Sequence, residues 1–473
     1  MSNHDQHDDH HDDDHHNDAH GHKHANGLGS CGSRDHSRRA FLKGAAASSV
    51  ALLGSSYGMP DLTFAQTAGK KTIIKIFMRG GADGLSLMPK FGDVNYRILR
   101  PDIGIPVPSA DPNSAIRLDN MYGLNPNLRP LMEIWDTGRM AIGPGVHFAE
   151  GNRSHFDCQQ WIELGERRDV GDGLFNKYLQ LNAGNDPLRA LRAGSNNMAA
   201  SLAGTIIVPA ISNGTDYNLT NSDWCGGNNC SDNGLTKALE QLGAVANQGP
   251  EIERETRRTS KIMVETIAKV QAASINYTPS ANGMLYLDGD GGRRFTTMGR
   301  GLKLAAQLLK SGAPLEIAAI DWSGHWDTHE NQIGSSIIDE TNSHARSLRE
   351  GADNLVTFWR DLGALRDNVI VMVGSEFGRT ALQNGSKGTD HGRGSVWFAL
   401  GGPTVGGIYA PLPELTEQLV RNSPNNNSVP ITMNYKDMLA EAMIRHLNVP
   451  DSQIATLFPG HTFTNYNMFT RSV

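Results

Sequence analysis

Cysteine is scarce, with four residues in a chain of 473. Disulfide-stapled secreted domains carry far more, so this chain has to be held by an apolar core. Positive charge is not in excess either: the formal net charge is −7, which leaves no electrostatic footprint for nucleic acid. No stretch reaches the roughly 20 consecutive apolar residues that a spanning helix requires, so no stable membrane span is expected. A hydrophobic content of 38% in a chain of this length still supplies a substantial core. It excludes a disordered or fibrous protein and allows one large domain or two to three ordinary ones.

What is present is unevenly placed. Residues 1–36 hold ten of the eighteen histidines and eight acidic residues, with Cys31 among them. Between His4 and His24 no apolar side chain is larger than Ala, so this tail cannot bury a core and is expected to be disordered. Its composition suits loose binding of zinc, nickel or copper, or a solvated spacer. Residues 37–65 follow as Ser37-Arg38-Arg39-Ala40-Phe41-Leu42-Lys43, an uncharged run rich in Ala, Ser and Leu, and Thr63-Phe64-Ala65. This segment resembles a twin-arginine export signal, which implies a partner in the twin-arginine export machinery and a periplasmic or secreted protein. Beyond residue 65 the body has 38 basic and 41 acidic residues, a net charge of −3.

From Lys70 onward, strand-like and helix-like segments alternate. Strands are expected at 72–78, 140–142, 315–320, 369–373 and 396–400, and helices at 128–136, 155–165, 251–273, 300–310, 342–362 and 435–447. Such alternation argues for an α/β domain over residues 70–473 with a mainly parallel sheet. The stretch 212–234, rich in Asn, Gly and Ser, reads as a surface insertion, in which Cys225 and Cys230 could close a small loop. Cys158 would be left over as a buried small hydrophobe.

Only eight histidines remain in the body, and four lie in motifs dense in Asp, Ser and Gly. Asp321-Trp322-Ser323-Gly324-His325-Trp326-Asp327-Thr328-His329 follows a strand. Gly374-Ser375-Glu376-Phe377-Gly378-Arg379-Thr380 follows another, with Gly388-Thr389-Asp390-His391-Gly392 soon after. In open α/β sheets, functional groups collect beyond the carboxyl ends of strands. Imidazole and carboxylate together suit a divalent metal ion such as zinc or manganese. Each piece also has a plainer reading: Ser154 with Asp157 is a helix-capping pattern, Asp83 can serve a Gly-rich turn, and Asp327 can start a helix.

The ordered blocks Arg79-Gly80-Gly81-Ala82-Asp83-Gly84-Leu85, Ser154-His155-Phe156, Trp326-Asp327-Thr328-His329, Ser375–Thr380 and Gly388–Gly392 resemble the DUF1501 family of exported bacterial proteins. That family is distantly similar to the alkaline phosphatase and sulfatase superfamily, so the resemblance implies a three-layer, alkaline-phosphatase-like α/β fold. It also implies a metal site drawn from Asp83, Asp327, His329, Glu376 and His391, with Asp321 and His325 as rivals. Ser154 stands where the superfamily has its nucleophile, and Arg379 or Arg153 could hold an anion. Glu376-Phe377 replaces the superfamily's Asp-His pair, so one imidazole is missing unless His155 or His325 supplies it. The function so implied is metal-dependent hydrolysis of a small anionic ester, a phosphate or a sulfate. The alternative is a non-catalytic envelope protein that keeps the fold and binds a glycan or protein.

Overall fold

The apolar run Thr72–Met78 forms β1 and is buried at every residue, as a strand covered on both faces must be. The computed structural model describes residues 70–214, 249–279, 297–422 and 424–471, with scattered positions between 217 and 287. The expectations for residues 1–36 and 37–65, for most of 212–234, and for Cys225 and Cys230 lie outside the described residues. All the described residues belong to one contact unit, Ser48–Val473.

The main sheet adds β2 (Met140–His147), β3 (Ala190–Ala193), β4 (Ala210–Ile211), β5 (Ile317–Asp321), β6 (Val369–Ser375), β7 (Ser395–Gly401), β8 (Gly407–Ile408) and β9 (Met433–Asn434). Their spatial order is β8-β2-β7-β6-β1-β5-β3-β4, with β9 also paired to β2. Pairing is parallel everywhere except along β7, which runs antiparallel to both β6 and β2. A mixed α/β domain with a large, mostly parallel sheet is therefore what the sequence folds into.

Each face of the sheet carries its own core, because strand side chains alternate. Ile74, Ile76 and Met78 pack into one cluster with Leu302 and Leu308 of α4 (Thr297–Lys310) and Leu348 and Val356 of α5 (Ser343–Leu362). Ile73 and Phe77 face the other cluster. There they meet Cys158 and Trp161 of α1 (His155–Leu164), Phe175 of α2 (Leu174–Leu181) and Met438 of α6 (Tyr435–Arg445). The long α3, Glu251–Ile275, precedes α4 in the chain. No helix among the described residues is long and apolar enough to cross a membrane.

The helix expected at 128–136 is a 3₁₀ turn, Pro126–Leu131, running into one α-helical turn, Met132–Trp135. Pro130 lies inside it and lacks the N–H that a regular helix would use. Cys158 is buried, its thiol donates to the Asn152 carbonyl at 3.2 Å, and burial pushes its pKa up to about 12. It behaves as a small hydrophobe.

The strand register brings the chemistry to one edge. Phe77 aligns with Asp321 and Met78 with Ser375, so β1, β5 and β6 end together. The antiparallel β7 begins at that same edge. The connection 376–394 therefore leaves β6 and returns without crossing the sheet, carrying Glu376, Arg379 and His391 with it.

Candidate metal centre

Four side chains meet at this edge. His155 is the first residue of α1, behind the cap residue Ser154. Asp327 and His329 follow β5, on a loop pinned by Trp326, which is fully buried, donates from Nε1 to the Trp322 carbonyl at 2.8 Å and packs edge-on to Trp322. His391 sits on the return from β6, where a bridge between Arg379 and His391 stiffens the loop. Two glycines make the approach possible. At Gly80, with φ +133°, a Cβ would lie 3.0 Å from that of Trp326, and at Gly81, with φ +64°, it would strike the Phe377 ring at 2.4 Å.

The ring nitrogens have assigned roles. His155 Nδ1 meets Glu376 Oε1 at 2.7 Å, His391 Nδ1 the Arg153 carbonyl at 2.9 Å, and His329 Nδ1 Asp390 Oδ1 at 3.3 Å. Carbonyls and ionised carboxylates only accept, so each Nδ1 must donate, and a neutral ring keeps a bare lone pair on Nε2. Those lone pairs converge. His391 Nε2 lies 3.1 Å from His155 Nε2 and 3.2 Å from His329 Nε2. Asp327 Oδ1 is 3.1 Å from His391 Nε2 and 3.0 Å from His329 Nε2, while Asp327 Oδ2 is 3.6 Å from His155 Nε2.

Acceptors packed this closely repel unless a proton or a cation lies between them. The ligands of a tetrahedral ion with bonds of about 2.0 Å stand about 3.3 Å apart, close to these separations. His155, Asp327 and His391 form the set whose ligand atoms all lie within 4.8 Å of one another, and His329 borders it on the exposed side. The residues present thus fit a divalent ion.

The supporting layer is ionised and paired. Burial alone would raise the Glu376 carboxyl, but hydrogen bonds from His155, Gln159 and Ser375 hold it below the usual carboxylate range. It also accepts the Gly80 N–H at 2.8 Å and Gln159 Nε2 at 2.9 Å. The bond to Glu376 raises the pKa of His155, against burial. The pKa of His391 is lowered, chiefly by burial and then by Arg379 and His155. Asp327 is partly desolvated yet kept below its ordinary value by Arg379, with help from His329 and His391.

Several expected ligands take other positions. Glu376 does not enter the ring of lone pairs; it stands behind His155 and fixes that ring, the outer-shell arrangement common at metal sites. Asp83 is fully buried, receives Arg100 Nη1 at 2.6 Å and Nη2 at 2.9 Å, and receives Gln332 Nε2 at 2.7 Å. Its oxygens are already occupied, so it stays outside the cluster. Arg379 is also fully buried, with Nη1 on Asp327 and Nη2 and Nε on Thr389, which commits it to the loop and not to an incoming anion. Asp321 is taken by Arg79 and Arg192. The Ser154 hydroxyl accepts the Asp157 N–H at 3.4 Å, a long capping bond.

The Phe377 ring packs against His155 and His391 with centroids 4.7 and 5.1 Å away. Gln159 escaped sequence reasoning, although its i, i+4 spacing from His155 places both on one helix face. Arg100 and Gln332 carry no local signal.

A family model described as "Protein of unknown function (DUF1501)" matches residues 235–444. That span includes Asp327, His329, Glu376, Arg379 and His391, and it supports the family resemblance. No curated protein matches the chain.

Proposed function

We propose that the protein is an exported, metal-dependent hydrolase of phosphate or sulfate esters, built on a three-layer, alkaline-phosphatase-like arrangement. The observation that carries this reading is the convergence of the Nε2 atoms of His155, His329 and His391 on Asp327, each ring held from behind through Nδ1. His155, Asp327 and His391 would hold the ion, with His329 beside them. Three imidazoles and one carboxylate suit zinc better than the oxygen-rich sites that manganese favours. A divalent ion held there would supply Lewis-acid polarisation of a phosphoryl or sulfuryl oxygen.

The chain's own residues do the rest. Glu376 keeps the His155 proton on Nδ1, and Arg379 locks the Asp327 carboxylate. Asp327 and His329 are 45% and 47% exposed, which leaves an open side for substrate, as catalytic sites require and structural ones do not. Ser154, immediately before His155 and only loosely engaged in capping, is the candidate nucleophile.

Elemental analysis of the mature protein, with aryl phosphate and aryl sulfate assays beside a His391→Ala control, tests the reading. About one ion per chain and hydrolysis of one ester class, both lost in the variant, are expected. Bound metal without hydrolysis of either ester would favour the non-catalytic envelope protein, and absence of metal would sink the enzyme as drawn.

A further inference from the structure

The rim of the centre has features that the ester chemistry alone does not use. Phe156, the residue after His155, is 89% exposed, although Trp161, Ile162 and Leu164 of the same helix are buried. A single exposed aromatic is ordinary on a protein surface. Its setting is not, since Arg153 is exposed two residues before His155 and its carbonyl holds His391.

Arg153 uses only Nη2, on the carbonyls of Asn425 and Asn426 and the Ser428 hydroxyl. Arg393, close enough for its charge to bear on Arg153, donates to the carbonyls of Pro424 and Ala149. All these partners are neutral, and among the described residues neither guanidinium has a carboxylate within 4.0 Å, although Asp157 and Asp390 lie nearby in the chain. The centre is also open. Small-molecule sites bury about 70–90% of their ligand, whereas here the Asp327 and His329 side chains are nearly half exposed. An open rim with two guanidinium groups bound only by neutral partners and a bare aromatic face suits a large anionic substrate presenting one group at a time.

We propose that the rim binds a saccharide chain bearing sulfate or phosphate esters, with a sugar ring against Phe156 and a neighbouring anionic group on Arg153. The proposal rests on the ester-hydrolase reading for the identity of the scissile group, but binding can be tested without turnover. The full mature protein is run in native affinity gels containing dextran sulfate, phosphorylated mannan or neutral dextran. Retardation by one of the two anionic polymers, weakening with added salt, is expected, and the polymer that retards identifies the ester. Neutral dextran should leave mobility unchanged.

Phe156→Ala should bind roughly three- to tenfold more weakly, and Arg153→Gln roughly tenfold or more. Phe156 is too exposed for its loss to unfold the chain, so an unchanged melting temperature is expected for that variant. Equal retardation of wild type and Phe156→Ala would overturn the proposal, since binding would then be unspecific charge attraction. Retardation by neutral dextran, or by no polymer, would overturn it as well. Intact binding in a protein that hydrolyses neither aryl ester would remove the hydrolase reading and leave the saccharide site standing.

Discussion

Asp83 and Asp327 invite comparison, because both are carboxylates just beyond neighbouring strands of one sheet and both look like metal ligands in the sequence. Asp83 is sealed, with no exposed surface, and is matched by the equally buried Arg100. Asp327 is nearly half open, and although Arg379 holds one of its oxygens, three imidazoles face it. The partner and the access to solvent, more than the residue type, decide what each carboxylate does. A guanidinium fork satisfies a carboxylate completely, whereas Nε2 lone pairs leave it asking for a cation. The two are also wired together: Gln332 donates to Asp83 and accepts from Thr328 and Thr389, and Thr389 in turn holds Arg379, which grips Asp327. The sealed carboxylate anchors the open one.

That contrast can be broken experimentally. Asp83→Ala leaves Arg100 charged and buried without its partner and should cost about 3–5 kcal/mol, read as a large fall in the denaturation midpoint. Asp327→Asn keeps an oxygen for Arg379 but removes the charge at the cluster. Bound zinc should fall by more than the tenfold to hundredfold usual for outer-shell changes, while the melting temperature of the metal-free protein moves little. If the two variants produced the same stability loss, the division between sealed and open carboxylates would fail. Glu376→Gln tests the intermediate case, a buried carboxylate that acts through His155. Zinc affinity should drop about 10- to 100-fold, measured by competition with a chelator, with the fold intact.

Lys75 sharpens the comparison from the other side, as a buried charge with no hydrogen-bond partner among the described residues. Burial lowers its pKa from 10.5 to about 8, against the pull of Glu163. Between those two values the unfolded chain holds a proton that the folded chain has released, so stability should rise with pH from about 8 to 10.5. Lys75→Met should abolish that slope and stabilise the protein at neutral pH by about 1–2 kcal/mol, both visible in denaturant titrations across pH.

Much of this architecture is legible in the sequence, and the exceptions have physical causes. Strands such as Val369–Ser375 and Ser395–Gly401 announce themselves as continuous apolar runs, because both of their faces are covered. Ala190–Ala193 does not: it is four residues long and contains Arg192, whose charge is tolerated only because Asp321 meets it from β5. In Met140–His147 only the first three residues read as strand, since Gly143, Pro144 and Gly145 mask the rest. At the centre, Asp327, His329 and His391 are legible from their crowding with Gly and Asp after strands. The role of Glu376 is not, because a carboxylate that binds an ion and one that orients an imidazole look alike in sequence. Nor is the fate of Asp83, whose partners Arg100 and Gln332 lie 17 and 249 residues away.

The return of β7 to the edge where β6 ends has a thermodynamic consequence. The converging groups come from positions 155, 327, 329 and 391, so no partial assembly of the chain contains them all. An ion seated among them would recognise only the completed sheet. By mass action it would then add about 2.7 kcal/mol at a free concentration one hundred times its dissociation constant. Occupancy of the centre would thus report that folding is finished.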